Sequence, residues 1–269
     1  MNMIRPFKGL RPSSDKASEV ASPPYDVMSY QEATLLAKDR ANSFLHISRP
    51  EIDLPEGTDP YSSEVYEKAS ENLKKLIDNN VLSREEVPCF YIYRLTGHGV
   101  CQSGLVVTAS VDAYDQNLIR KHEFTRPVKE DDRVCQIDQL RAQTGPVLLA
   151  YPSSKDIDDI IASETLSAPE QHVTASDGVQ HEIWTLSCQD KIAILVALFD
   201  DLPALYIADG HHRSASSYLL SKDLKFQNKS HSGEETYNYF MSYLIPESHL
   251  KIYEFNRLIK DLNGLTKEA

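Results

Sequence analysis

Ala204-Leu-Tyr-Ile-Ala-Asp209-Gly210-His211-His212-Arg213-Ser214-Ala215 is the stretch on which the reading of this chain turns. Its first five residues form an apolar run bounded by turn signals, the pattern of a buried strand. Asp209-Gly210 breaks that run, and residues 213–221 read as a helix. A strand feeding straight into a helix presents free backbone N–H groups, and the helix dipole favours an anion there. Gly210 admits a positive φ or the close approach of a ligand. Arg213 carries a planar fork suited to phosphate oxygens. His211 and His212 donate hydrogen bonds and can carry charge near neutral pH. The group suits the phosphates of a nucleotide. Asp209 does not, unless it holds a metal or a substrate hydroxyl. The plainer alternative is that Asp209 caps the helix and the histidines face solvent. The turn is not a P-loop, because Gly-x-x-x-x-Gly-Lys-Ser/Thr occurs nowhere in the chain.

Two clusters upstream carry further chemistry. Residues 120–133, Arg-Lys-His-Glu-Phe-Thr-Arg-Pro-Val-Lys-Glu-Asp-Asp-Arg, are dense in both charge signs. Within them His122 and Glu123 stand beside Thr125 and Arg126, so acid/base, hydroxyl and cationic groups fall within one turn. A solvated loop leading into a helix is the alternative. In Ala21-Ser-Pro-Pro-Tyr-Asp26-Val, two prolines stiffen the approach to Asp26 and place a carboxylate at small entropic cost. Asp26 as a simple turn cap is the alternative there. The other histidines have no metal-ligand spacing. Neither His-Glu-x-x-His nor Gly-x-Ser-x-Gly is present, which removes zinc peptidase and α/β-hydrolase readings.

Outward from these motifs the pattern predicts an α+β fold, a mixed sheet with helices. Residues 1–30 are punctuated by Pro6, Pro12, Pro23 and Pro24 and read as an extended entry without helix. A helix follows from Tyr30, with Ser29 as N-cap and Glu32 completing a capping box. Residues 61–80 carry an amphipathic helix, with Val65, Ala69, Leu73, Leu76 and Ile77 on one face. Residues 89–95 and 102–111 form a hairpin-like pair around Gly97-His98-Gly99. Helices are expected over 129–143 and 153–167, and strands over 146–151, 181–186, 191–199, 238–245 and 250–255. Asp261-Leu-Asn-Gly264 is a stop signal, and Thr266 reads as the N-cap of a new helix, so the chain is expected to be cut from something longer.

Composition narrows the function. The chain has 269 residues, and 28 Lys and Arg against 40 Asp and Glu leave a net charge of −12. A broad grip on nucleic acid is unlike such a surface, because that affinity comes from cations neutralising phosphates. A compact cationic pocket is still allowed. No apolar run approaches the ~20 residues that span a bilayer. Cys89, Cys101, Cys135 and Cys188 are scattered, which reads as structural thiols in a reducing cytoplasm.

Four segments in order, Arg5-Pro-Phe-Lys-Gly-Leu-Arg-Pro, Ser22-Pro-Pro-Tyr-Asp-Val, Lys121-His-Glu-Phe-Thr and Ala208-Asp-Gly-His-His-Arg, resemble the bacterial domain-of-unknown-function family DUF1015. That family in turn resembles the ParB/sulfiredoxin superfamily, which includes free-serine kinases. The resemblance implies a ParB/sulfiredoxin-like nucleotide-binding core formed by residues 1–50 and 200–260. The whole is one α+β unit over 1–269 that allows an inserted subdomain at about 60–200. It implies phosphate contacts from His212 and Arg213, with Gly210, His211 and Ser214 lining the turn. Asp209 matches a carboxylate beside the acceptor hydroxyl, and Asp26 is the candidate base, with Glu123 its rival. His122, Thr125 and Arg126 are supporting residues. The implied activity is a small-molecule kinase using ATP or ADP with Mg²⁺, free L-serine being the acceptor. A ParB-like nucleotide-binding regulator without kinase activity is the alternative. Carboxylates for Mg²⁺ and cations for phosphates are what phosphoryl transfer requires.

Overall fold

Thr96-Gly97-His98-Gly99-Val100 closes a two-residue hairpin, with Gly97 paired to Val100 and positive φ at both His98 and Gly99. Positive φ at both central residues matches the right-handed twist of the flanking strands. The two strands it joins lie inside the main sheet. The computed structural model describes residues 2–252, 254, 256, 259–261, 263, 264 and 266.

The strands in chain order are β1 (Ile4–Arg5), β2 (Leu10–Pro12), β3 (Leu82–Arg84), β4 (Phe90–Gly97), β5 (Val100–Ser110) and β6 (Ile119–Arg120). They continue with β7 (Val147–Tyr151), β8 (Gln171–Thr174), β9 (Gln180–Leu186), β10 (Leu205–Asp209) and β11 (Tyr239–Pro246). The helices are α1 (Ala17–Val20), α2 (Tyr30–Ala37), α3 (Leu45–Ser48), α4 (Ser63–Asp78), α5 (Val111–Asp115), α6 (Pro127–Leu140), α7 (Lys155–Glu164), α8 (Gln189–Asp200) and α9 (His211–Gln227). The main sheet runs β6-β10-β7-β11-β5-β4-β9-β8, and β1 adds to the end of β5. Two neighbour pairs, β6 with β10 and β7 with β11, are parallel; the rest are antiparallel. The α+β class with a mixed sheet is therefore present.

Alternation along the strands separates two faces. Phe90, Ile92, Leu105, Val107, Leu149, Phe240 and Leu244 pack with Ile157 and Ile161 of α7 and with Ile192, Leu195 and Phe199 of α8. The opposite face, carrying Tyr93, Leu95, Leu148, His181 and Tyr243, floors a deep cleft. A second core joins Val20, Ile47, Ala69, Leu73, Leu76, Val81, Leu82 and Leu140, which packs the N-terminal helices on α4 and α6. These elements roof the cleft.

Several expectations need correction. Residues 191–199 form most of α8 rather than a strand. Apolar runs of that length fit either element, and the buried positions Ile192, Leu195 and Phe199 fall three and four apart, with Ile194 half exposed. The proline-rich entry contains the single-turn α1 and a 3-10 turn at Tyr25–Val27. Leu250–Ile252 and Glu254 lie in no strand, while Tyr253, Phe255 and residues 267–269 are outside the described residues. Of the thiols only Cys89 is buried; Cys101, Cys135 and Cys188 are exposed. The capping box is as read: Ser29 accepts from the Glu32 amide and Glu32 accepts from the Ser29 amide.

Candidate functional site

β10 lies inside the sheet, between β6 and β7. Its register against β7 shifts between Ile207 and Asp209, so the ladder carries a bulge just before the turn, with Asp209 still paired to Leu148. Gly210 then adopts φ +94°, a left-handed conformation, and α9 begins at His211 without a side-chain N-cap. A residue with a Cβ is strained at that φ. The helix start therefore has backbone donors free of any capping side chain.

The turn divides its side chains between two sides. On the cleft side, Arg213 Nη2 donates to Asp209 Oδ2 at 2.5 Å and Nη1 donates to the Pro146 carbonyl. Arg213 is three-quarters buried, whereas Asp209 is largely exposed. A Cβ on Gly210 would sit 3.2 Å from the guanidinium carbon, and one on Gly145 would sit 3.4 Å from Nη1. Two glycines thus make room for one guanidinium.

On the other side the loop from β6 to α6, residues 121–126, crosses the start of α9. The His122 amide donates to His211 Nε2 at 3.5 Å, and the Arg126 amide donates to His212 Nε2 at 3.2 Å. Each imidazole accepts through Nε2, which places the proton of the neutral ring on Nδ1. His211 is buried, with Nδ1 3.6 Å from Glu123 Oε2 and its ring edge-on to His122 at 4.4 Å. Burial, aided by His122, lowers its pKa against the pull of Glu123 and Asp209. A neutral His211 and an exposed Glu123 form a weak contact rather than an ion pair. Ser214 is fully buried, and its hydroxyl donates back to the His211 and Gly210 carbonyls. Thr125 is half-buried in the same loop.

Asp26 comes from the roof. It sits in the 3-10 turn Tyr25–Val27, exposed, and lines the same cleft as Asp209 and Arg213. That cleft is about 1170 Å³. Arg49 Nη1 donates to the Tyr25 and Met28 carbonyls at 2.9 and 2.7 Å, bracketing Asp26, and Nε is held by Glu51 at 2.6 Å. Arg133 of α6 stacks over the Tyr25 ring at 4.7 Å. Glu123, His122, Thr125 and Arg126 do not line this cleft.

Sequence reasoning missed Arg49, Arg133, Gly145 and the Pro146 carbonyl. Arg133 closes the charged run of 120–133, and Gly145-Pro146 marks a break between helix and strand, so both carried a local signal. Arg49 carried none, since its role depends on two carbonyls more than 20 residues away. Among the described residues no three His, Cys, Asp or Glu side chains converge on a point that could hold a metal. Nor, among them, is any helix long and apolar enough to cross a membrane.

Compared with known proteins, residues 4–269 match the family model described as "Protein of unknown function (DUF1015)". No curated protein and no solved structure matches the chain.

Proposed function

The chain belongs to the DUF1015 family, and from that premise we propose that it is a small-molecule kinase, moving a phosphoryl group from ATP or ADP to the hydroxyl of free L-serine. One observation carries the reading: a carboxylate from the roof, Asp26, and the Asp209–Arg213 pair from the strand-to-helix turn line one cleft. Phosphoryl transfer depends on positioning and charge stabilisation more than on covalent chemistry by the protein.

The residues divide the work. A guanidinium has five N–H donors, and two groups of Arg213 are engaged, by Asp209 and by Pro146. Its remaining donors and the uncapped amides of α9 receive phosphate oxygens. Asp209, exposed and at the mouth of the turn, orients the acceptor hydroxyl. Asp26 takes the hydroxyl proton as the oxygen bonds to the terminal phosphorus and the bond to the next phosphate breaks. Glu123 is the rival base, placed on the far side of the turn beside His211. The donor set suits Mg²⁺ that arrives with the nucleotide, since that ion is held by one or two carboxylates, phosphates and water. When bound it supplies charge neutralisation at the phosphates.

The test is direct. Purified protein is incubated with Mg²⁺, ATP or ADP and free L-serine, and O-phosphoserine is measured. Arg213→Ala is expected to abolish nucleotide binding, and Asp209→Ala to keep binding but lose turnover by roughly 100-fold or more. Asp26→Asn against Glu123→Gln identifies the base. Nucleotide binding with no phosphorylated product across the hydroxy amino acids overturns the kinase reading and leaves the nucleotide-binding regulator.

A further inference from the structure

The cleft extends well beyond the turn that carries Arg213. At its far end Leu95 pairs with His181 and Tyr93 with Ile183 across β4 and β9, both pairs line the cavity, and the ring of Tyr243, on the strand next to β7, reaches toward them from the middle of the cleft. Gly104 pairs with Tyr93. Lacking a side chain, it lets the Tyr243 ring lie over it, and a Cβ there would be 2.8 Å from that ring. Tyr243 meets Tyr93 edge-on at 5.3 Å. The Tyr93 hydroxyl lies 2.6 Å from His181 Nδ1, and the two rings are inclined by only 21°. One end of the cleft is thus charged and the other is an aromatic wall.

The sheet register measures how far apart they are. Leu148 lies across from Tyr243, Val106 and Tyr91 in turn. From Pro146, which holds Arg213, to Tyr93 is therefore three strand spacings across and four residues along, on the order of 20 Å on a flat sheet. That is the reach of an arginine side chain plus an extended nucleoside polyphosphate. The cavity, about 1170 Å³, also exceeds the roughly 300–1,000 Å³ of ordinary small-ligand sites. Free serine fills little of it.

We propose that the Tyr93–His181–Tyr243 end seats the base of the nucleotide whose phosphates meet Arg213. This rests on the phosphate reading of the turn and adds to it the other half of the ligand. Flat bases stack on aromatic side chains with little regard to sequence. Burial lowers the His181 pKa, so the ring is neutral. With the Tyr93 phenol donating to Nδ1, Nε2–H is a donor for the base edge. Gln102 gives its amide nitrogen to the His249 carbonyl and keeps its oxygen as an acceptor.

Inorganic tripolyphosphate separates the two halves, because it has the phosphates without the base. Calorimetric titration of the full chain is expected to show ATP binding about 10- to 100-fold tighter than tripolyphosphate. His181→Ala, and Val173→Asp at the β8 residue that pairs with His181 and lines the same end of the cleft, with melting curves to confirm folding, are expected to erase that margin while tripolyphosphate affinity stays within twofold. Equal affinities in the unaltered protein, or a margin that survives both variants, overturn the base seat and leave the phosphate site standing. If neither compound binds, the phosphate reading itself has failed and the base seat falls with it.

Discussion

Gly210 has two roles, and a single methyl group tests both. At φ +94° an alanine costs about 1–2 kcal/mol, and its Cβ would press on the Arg213 guanidinium at 3.2 Å. Gly210→Ala is therefore expected to lower stability by about that amount and to weaken nucleotide binding, as read by a denaturant melt and a titration. His211 offers a second test. Its folded pKa is lowered, so the unfolded chain takes up the proton first. The stability it contributes is complete above the unfolded value of about 6.5 and is lost as pH falls from there through the folded value. His211→Gln is expected to flatten that acid limb, measured as unfolding free energy against pH. At this scale the Asp209-to-Arg213 turn was legible because strand, glycine and helix start are adjacent in the chain. The fork's second anchor, the Pro146 carbonyl, was not, since no local pattern announces a contact 67 residues away.

Elements are held in place here by polar junctions that leave little trace in hydrophobic periodicity. His46 of α3 binds Asp53 through Nδ1 at 2.9 Å and the Arg40 carbonyl through Nε2 at 3.2 Å, and Asn72 of α4 binds the same Asp53 at 2.7 Å. A ring bonded to acceptors at both nitrogens is an imidazolium, and the Asp53 hydrogen bond accordingly raises its pKa. The sign is opposite to that of His211. The contribution is complete below about 6.5 and is lost as pH rises through the folded value. Asp53→Asn is expected to remove this alkaline limb, seen by melting across pH 6 to 9. Arg49 does comparable work for the Asp26 turn. With Asp26 as the proposed base, Arg49→Ala is expected to lower kcat roughly 10-fold or more while nucleotide affinity holds, because a misplaced base costs turnover rather than binding. The helices with the clearest signals, α2 with its capping box and α4 with its apolar stripe, were legible to within a few residues. α8 was not, because Ile-Ala-Ile-Leu-Val-Ala-Leu-Phe satisfies a buried strand as well as a buried helix, and only the packing of Ile192, Leu195 and Phe199 decides between them.

For the whole molecule, the mixed class was legible from alternating hairpin and helix patterns, but the strand order was not. Pairing partners such as β5 and β11 are more than 120 residues apart, and nothing local selects them. A ligand spanning the cleft would bridge the roof, the sheet and α9, so saturating ATP is expected to raise Tm by a few degrees. That follows from roughly 2.7 kcal/mol at 100 times Kd, a gain that Arg213→Ala abolishes. The placement of β11 has a consequence for biosynthesis. It sits between β5 and β7 in the middle of the sheet, yet it is the last strand of the described chain to be made. From the completion of β7 at Tyr151 until residue 238 is added, β5 waits with an open edge on one side and β7 waits with another, both rich in Val and Leu. Open edges of that kind recruit other chains. Newborn copies are therefore most exposed to mispairing just before Tyr239–Pro246 emerges, and the sheet closes in one late step.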